Sequence, residues 1–149
     1  MTVIGLNHHG ITVSSIEETS RFFVDVLGFR RGAVVELDPD FTARVTGVAN
    51  SRLTAAFVHG PGIDVELLQY EAATAAGVQP PSRPGSAHVA LFVDDIAPIV
   101  EAARPLGWTP AGSIAPIVSG PRRGGRAGYL RDRDGATVEL VEPPRQDRG

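Results

Sequence analysis

Four residues of this 149-residue chain have types and spacing that suit metal chemistry: His8, Glu66, His88 and Glu139. Two imidazoles and two carboxylates form a donor set for one borderline divalent cation: Zn, Ni, Co, Mn or Fe(II). In an octahedral shell four protein donors leave two positions, enough for a substrate that chelates through two neighbouring oxygens. Such an ion acts as a Lewis acid on charge that develops when a proton leaves the carbon beside a carbonyl. Glu66 or Glu139, loosened from the ion, is then the candidate catalytic base.

These four positions stand out because the chain repeats itself. The segment from His8 (HHGITVSSIEETSRFFVDVLGF) aligns with the segment from His88 (HVALFVDDIAPIVEAARPLGW). Each has a Val five residues after its His (Val13, Val93), then an Ile (Ile16, Ile96) and a Leu-Gly-aromatic close. Each half then ends in an apolar run with a central Glu, IDVELLQY around Glu66 and ATVELVEP around Glu139. A lone strand His is usually hydrogen-bonded packing, and a lone Glu can sit on a solvated face. Recurrence of the same types at the same places favours the functional reading. His9 is the competing imidazole; the repeat alignment makes it the outward neighbour of His8.

The elements that must position these residues follow from periodicity. In the first half, 3–13 reads as a strand, and Ser14 or Ser15 caps a helix from Ile16 to Leu27 that Gly28 stops. Strands follow at 30–37, 53–59 and 63–70, the last two joined by Gly60-Pro61-Gly62. Residues 72–85 read as an Ala/Pro/Gly linker. The second half gives a strand at 87–93, a helix at 96–106, and strands at 108–117, 127–131 and 136–141, with an Asp134-Gly135 hairpin turn. The expectation is one α+β domain of two βαβββ modules, 1–71 and 86–143, followed by a frayed tail at 144–149. Strand alternation groups His8 with Gly10 and Thr12, His88 with Ala90 and Phe92, Glu66 with Asp64 and Leu68, and Glu139 with Thr137 and Val141.

Composition sets the bounds. Apolar content of 42% with 21% charged residues is ordinary for a globular protein, and a net charge of −3 gives no footprint for nucleic acid. No bilayer-length apolar run and no secretory signal are visible, so a cytoplasmic protein without membrane partners is expected. The absence of cysteine excludes thiolate chemistry, and the absence of lysine excludes a Schiff base. Arg122, Arg123 and Arg126 lie in the loop GPRRGGRAG. They suit a clamp on a carboxylate or phosphate of a thiol conjugate or CoA ester, or equally a solvated turn. Thr12, Phe92 and Leu68 are candidates for the substrate wall.

These motifs resemble the vicinal oxygen chelate superfamily, which includes glyoxalase I, methylmalonyl-CoA epimerase, extradiol dioxygenases and fosfomycin and bleomycin resistance proteins. The resemblance rests on His8-His9-Gly10-Ile11, on Phe22-Phe23-Val24-Asp25-Val26-Leu27-Gly28-Phe29, on SAHVALFVDDI and on YLRDRDGATVELVE. It implies paired modules forming a mixed-sheet, half-barrel cleft, a homodimer, a small-molecule substrate, and metal ligands at His8, Glu66, His88 and Glu139. The His, Glu, His, Glu set is most similar to bacterial glyoxalase I, implying a lyase or isomerase. Methylmalonyl-CoA epimerases usually carry Gln where Glu66 stands, and dioxygenases resemble a two-His-one-carboxylate plan. A metal-free module that sequesters an antibiotic is the alternative outside enzymology.

Overall fold

The computed structural model describes residues 2–72 and 78–144. Parts of the expected linker (73–77) and tail (145–149) lie outside the described residues. The chain divides into two units, Met1–Ala75 and Ala76–Gly149, and each builds one mixed sheet with few helices.

The first unit runs β1 (His9–Thr12), α1 (Ile16–Arg21), β2 (Arg30–Leu37), α2 (Pro39–Thr46), β3 (Leu53–Gly60) and β4 (Ile63–Tyr70). Its sheet order is β1-β4-β3-β2, with β1 parallel to β4 and the other pairs antiparallel. The second unit runs β5 (Val89–Phe92), α3 (Ile96–Ala103), β6 (Thr109–Pro110), β7 (Ala115–Pro116), β8 (Arg126–Arg131) and β9 (Thr137–Glu142). Its order is β5-β9-β8-β6, again with a parallel β5–β9 pair. Two α+β modules of the expected kind are present, neither closed into a barrel.

The same device starts the helix in both units. Ser15 caps α1 by accepting from Glu18 N, and Asp95 caps α3 by accepting from Ala97 N. The next free amide, Ile16 N or Ile96 N, donates across to the last strand: to Gln69 Oε1 at 2.8 Å and to Glu142 Oε2 at 3.1 Å. Gln69 and Glu142 each stand three residues beyond the unit's central Glu, so the repeat includes this helix anchor. A π-helical turn, Phe22–Val26, continues α1 and buries both Phe22 and Phe23 completely. Val65, Leu67 and Val58 in the first unit, and Val138, Leu140 and Leu130 in the second, are fully buried. Alternation therefore turns Glu66 and Glu139 to the opposite, more open face of each sheet.

Three expectations are corrected. The first strand begins at His9 rather than residue 3, because its ladder partner β4 begins only at Ile63 and His9 already pairs with Val65. The strand expected at 108–117 is reduced to the short pairs β6 and β7, since Pro110 and Pro116 lack the N–H a continuous ladder needs. The helix α2 was not expected: its apolar residues Phe41 and Val45 face solvent while Thr42 is buried, so it lacks the usual inward stripe.

Candidate functional site

Each His of interest is the residue just before the first strand of its unit, beside the parallel partner strand that carries the Glu. In β1–β4, Gly10 pairs with Glu66; in β5–β9, Ala90 pairs with Glu139. His8 and His88, two residues earlier on the same side, therefore meet the carboxylates. His8 Nε2 is 3.0 Å from Glu66 Oε2, and His88 Nε2 is 3.1 Å from Glu139 Oε2. All four side chains are partly accessible, from 17% for Glu66 to 38% for His88.

An aromatic ring completes each pair. Phe57 on β3 is directly across from Glu66, and Tyr129 on β8 is directly across from Glu139. The Phe57 ring meets His8 edge-on at 5.6 Å, and the Tyr129 ring lies tilted against His88 at 4.8 Å. The halves differ by one atom here: only Tyr129 has a hydroxyl, placed 3.4 Å from His88 Nε2. Burial and then the Glu139 charge raise the Tyr129 pKa, so the phenol keeps its proton and can donate. Tyr129 was missed from sequence. The signal was available, since it is the register partner of Glu139, but that register emerges only once β8 and β9 are paired.

The donor chemistry fits a divalent ion. Two donors at about 2.1 Å from one ion and at right angles to each other lie about 3.0 Å apart, the spacing of both pairs. A shared proton suits the same spacing. No group of three or more His, Asp or Glu side chains that could hold an ion is found among the described residues; each unit offers a two-donor half-site.

The remaining candidates are distributed as follows. Thr12 is the register partner of Leu68, on the Glu66 side of the first sheet. Phe92 is on the Glu139 side of β5 and 67% exposed, with the Arg122 guanidinium 5.0 Å above its ring centroid. Arg123 is exposed beside it. Arg126 is placed differently from the expected clamp. It is in register with Glu142, on the face away from Glu139, and bonds Glu142 Oε2 at 2.5 Å and Asp95 Oδ1 at 3.3 Å. Its guanidinium thus compensates the otherwise buried Glu142 carboxylate that anchors α3. His9, on the other side of β1 from His8, is half-buried.

No described helix is long and apolar enough to cross a membrane. Residues 5–140 match the model of the Glyoxalase/Bleomycin resistance protein/Dioxygenase superfamily. None of the curated proteins matches the sequence. Among solved structures, a glyoxalase family protein from Bacillus cereus is 21% identical with a TM-score of 0.81, covering 97% of both chains. A fosfomycin resistance protein, FosX, from Mesorhizobium loti is 23% identical with a TM-score of 0.55, covering 93% of this chain and 91% of its own. A glyoxalase I mutant from Zea mays is 20% identical with a TM-score of 0.63, covering 91% of this chain and 46% of its own. At these identities the likeness is one of fold.

Proposed function

Because the chain belongs to the Glyoxalase/Bleomycin resistance protein/Dioxygenase superfamily, we propose that it is a metal-dependent lyase or isomerase of the glyoxalase I type, acting on a small carbonyl compound. The carrying observation is the twinned half-site: His8–Glu66 and His88–Glu139, each with its nitrogen and oxygen at the separation of adjacent ligands on one ion. In this reading the four side chains share one divalent cation. When bound, that ion supplies Lewis-acid stabilisation of negative charge on the substrate oxygens.

The chain's own residues do the rest. Glu139 or Glu66 takes the proton from the carbon beside the carbonyl, and the electron pair moves onto the carbonyl oxygen. The same carboxyl group returns that proton to the former carbonyl carbon while the proton of the hydroxyl on the first carbon passes to the former carbonyl oxygen, so carbonyl and hydroxyl exchange places and the step balances. Tyr129, held protonated by burial and by Glu139, is placed to donate to an oxygen that gains charge. Phe57 and Phe92 supply apolar surface, with Arg122 and Arg123 suited to an anionic substituent. A homodimer fits this reading.

The test is a panel on one metal-loaded preparation: hemithioacetal isomerisation, solvent-deuterium exchange into acyl-CoA esters, and oxygen uptake with catechols. Isomerisation lost in Glu139→Gln or Glu66→Gln supports the proposal. Exchange into acyl-CoA esters alone would reassign the chain as an epimerase, and oxygen uptake alone as a dioxygenase. Inactivity throughout, with tight drug binding by the metal-free protein, would favour the metal-free sequestering alternative.

A further inference from the structure

The first unit carries a second His–carboxylate pair on the same side of its sheet as Glu66, and nothing in the proposed proton transfer uses it. His59 on β3 is in register with Asp64 on β4, and its Nδ1 lies 2.9 Å from Asp64 Oδ1. Its ring is stacked nearly parallel on Phe57, with centroids 6.1 Å apart and planes 12° apart. Phe57 in turn meets His8, so His59, Phe57 and His8 form one continuous row of rings. Strand β2 makes room for His59 by a register shift between Arg31 and Val34. A Cβ on Gly32, within that shift, would sit 2.8 Å from His59 Nε2 and 2.9 Å from the Phe57 carbonyl oxygen. The corresponding positions in the second unit are Arg131 and Thr137, which bond each other at 3.1 Å. The module therefore folds without a His–carboxylate pair here.

Arg30 stands on the far side of His59. The two are register partners on β2 and β3, so their side chains leave the sheet on the same side. Arg31, which points the other way, is paired with Glu17. No ion pair engages Arg30 among the described residues. Asp64 Oδ1 is engaged by His59 Nδ1, on the opposite side of His59 from Arg30. From strand spacings, Arg30 lies two strands and two residues from Glu66, roughly 12 Å between Cα atoms.

We propose that Arg30 and His59 form a distal subsite that binds a carboxylate at the far end of the substrate, whose chelating oxygens meet the His8–Glu66 half-site. This rests on the metal-dependent reading for the near end. It narrows the substrate class to small carbonyl acids with a flat or apolar middle that lies over Phe57. The planar guanidinium matches a carboxylate in a two-bonded fork, which a lysine would not.

Two chelators that differ only at the far end provide the test: benzohydroxamic acid, and the same compound with a para carboxyethyl arm. Dissociation constants are measured by calorimetry on Zn-loaded wild type, Arg30→Gln and His59→Gln. The carboxylated probe should bind wild type at least ten-fold more tightly than its parent. In Arg30→Gln that advantage should fall to about two-fold or less, with parent binding unchanged, and His59→Gln should show a smaller loss. An absent advantage, or one retained in both variants, overturns the subsite while leaving the metal reading intact. A chain that takes up no Zn overturns the metal reading and the subsite with it; a loaded chain that binds neither probe overturns the subsite alone.

Discussion

The hydroxyl of Tyr129 lies 3.4 Å from Nε2 of His88, and its ring is directly across the β8–β9 ladder from Glu139. In the first unit the corresponding ring, Phe57, has no hydroxyl. The two half-sites are therefore equal in their donors and unequal in their hydrogen-bonding reach. Removing the hydroxyl alone should be felt in turnover rather than in metal content. Tyr129→Phe is expected to lower kcat by about 100-fold, the scale of losing one donor to a charged transition state. Metal stoichiometry should stay at the wild-type value. An unchanged kcat would remove Tyr129 from the chemistry.

Arg122 and Arg126 are four residues apart yet do different work. Arg122 lies over the exposed Phe92 ring, whereas Arg126 compensates Glu142 beneath the start of α3. Arg122→Ala is expected to raise KM with little change in kcat, the pattern of lost uniform binding. Arg126→Ala should leave KM unchanged and lower Tm, because it strands a buried carboxylate. Steady-state kinetics and a thermal melt on both variants separate the roles; reversal of the two phenotypes would contradict them.

Asp132 in the β8–β9 turn accepts from the amides of Asp134 and Ala136, each at 2.9 Å. Burial, and then the neighbouring Asp134 charge, raise its pKa from the ordinary aspartate value. A raised carboxyl pKa favours the protonated form in the folded state. Its contribution to stability is therefore full below the unfolded pKa and is lost as pH rises through the folded one. Asp132→Asn keeps the acceptor oxygen and removes the charge. The variant should melt above wild type at neutral pH, the difference shrinking as pH falls below the usual carboxylate range. A Tm difference independent of pH would contradict this.

Gly60, at the end of β3, is overlaid by the buried ring of Phe29, and an added Cβ would collide with that ring. Gly60→Ala should destabilise by about 1–3 kcal/mol, the usual cost of overpacking. Adding Phe29→Leu should recover part of the loss, in a double-mutant cycle read by chemical denaturation. Strictly additive losses would show that the ring is not the obstacle.

Much of the architecture was legible because it repeats. A duplicated His and a duplicated Glu located both half-sites before any strand was paired, and Gly28 and Gly107 marked the ends of both helical segments at positive φ. Features that depend on cross-strand register were hidden. Tyr129 reads as an ordinary strand aromatic until β8 meets β9, and Gln69 and Glu142 give no sign that they receive a helix amide. Arg126 shares a loop sequence with Arg122 and Arg123, and only the parity of β8 turns it to the other face. Helix α2 escaped because Phe41 and Val45 face solvent, so periodicity carried no inward stripe to detect.

Under the proposed function both half-sites serve one ion. Metal content per chain, measured by inductively coupled plasma mass spectrometry after equilibrium dialysis against Zn(II) or Ni(II), tests it most directly. One ion per wild-type chain is expected, with occupancy lost on Glu66→Ala and equally lost on Glu139→Ala, since each variant would remove a donor from the same site. Two ions per chain, one surviving in each variant, would contradict it, as would a wild-type chain that retains none.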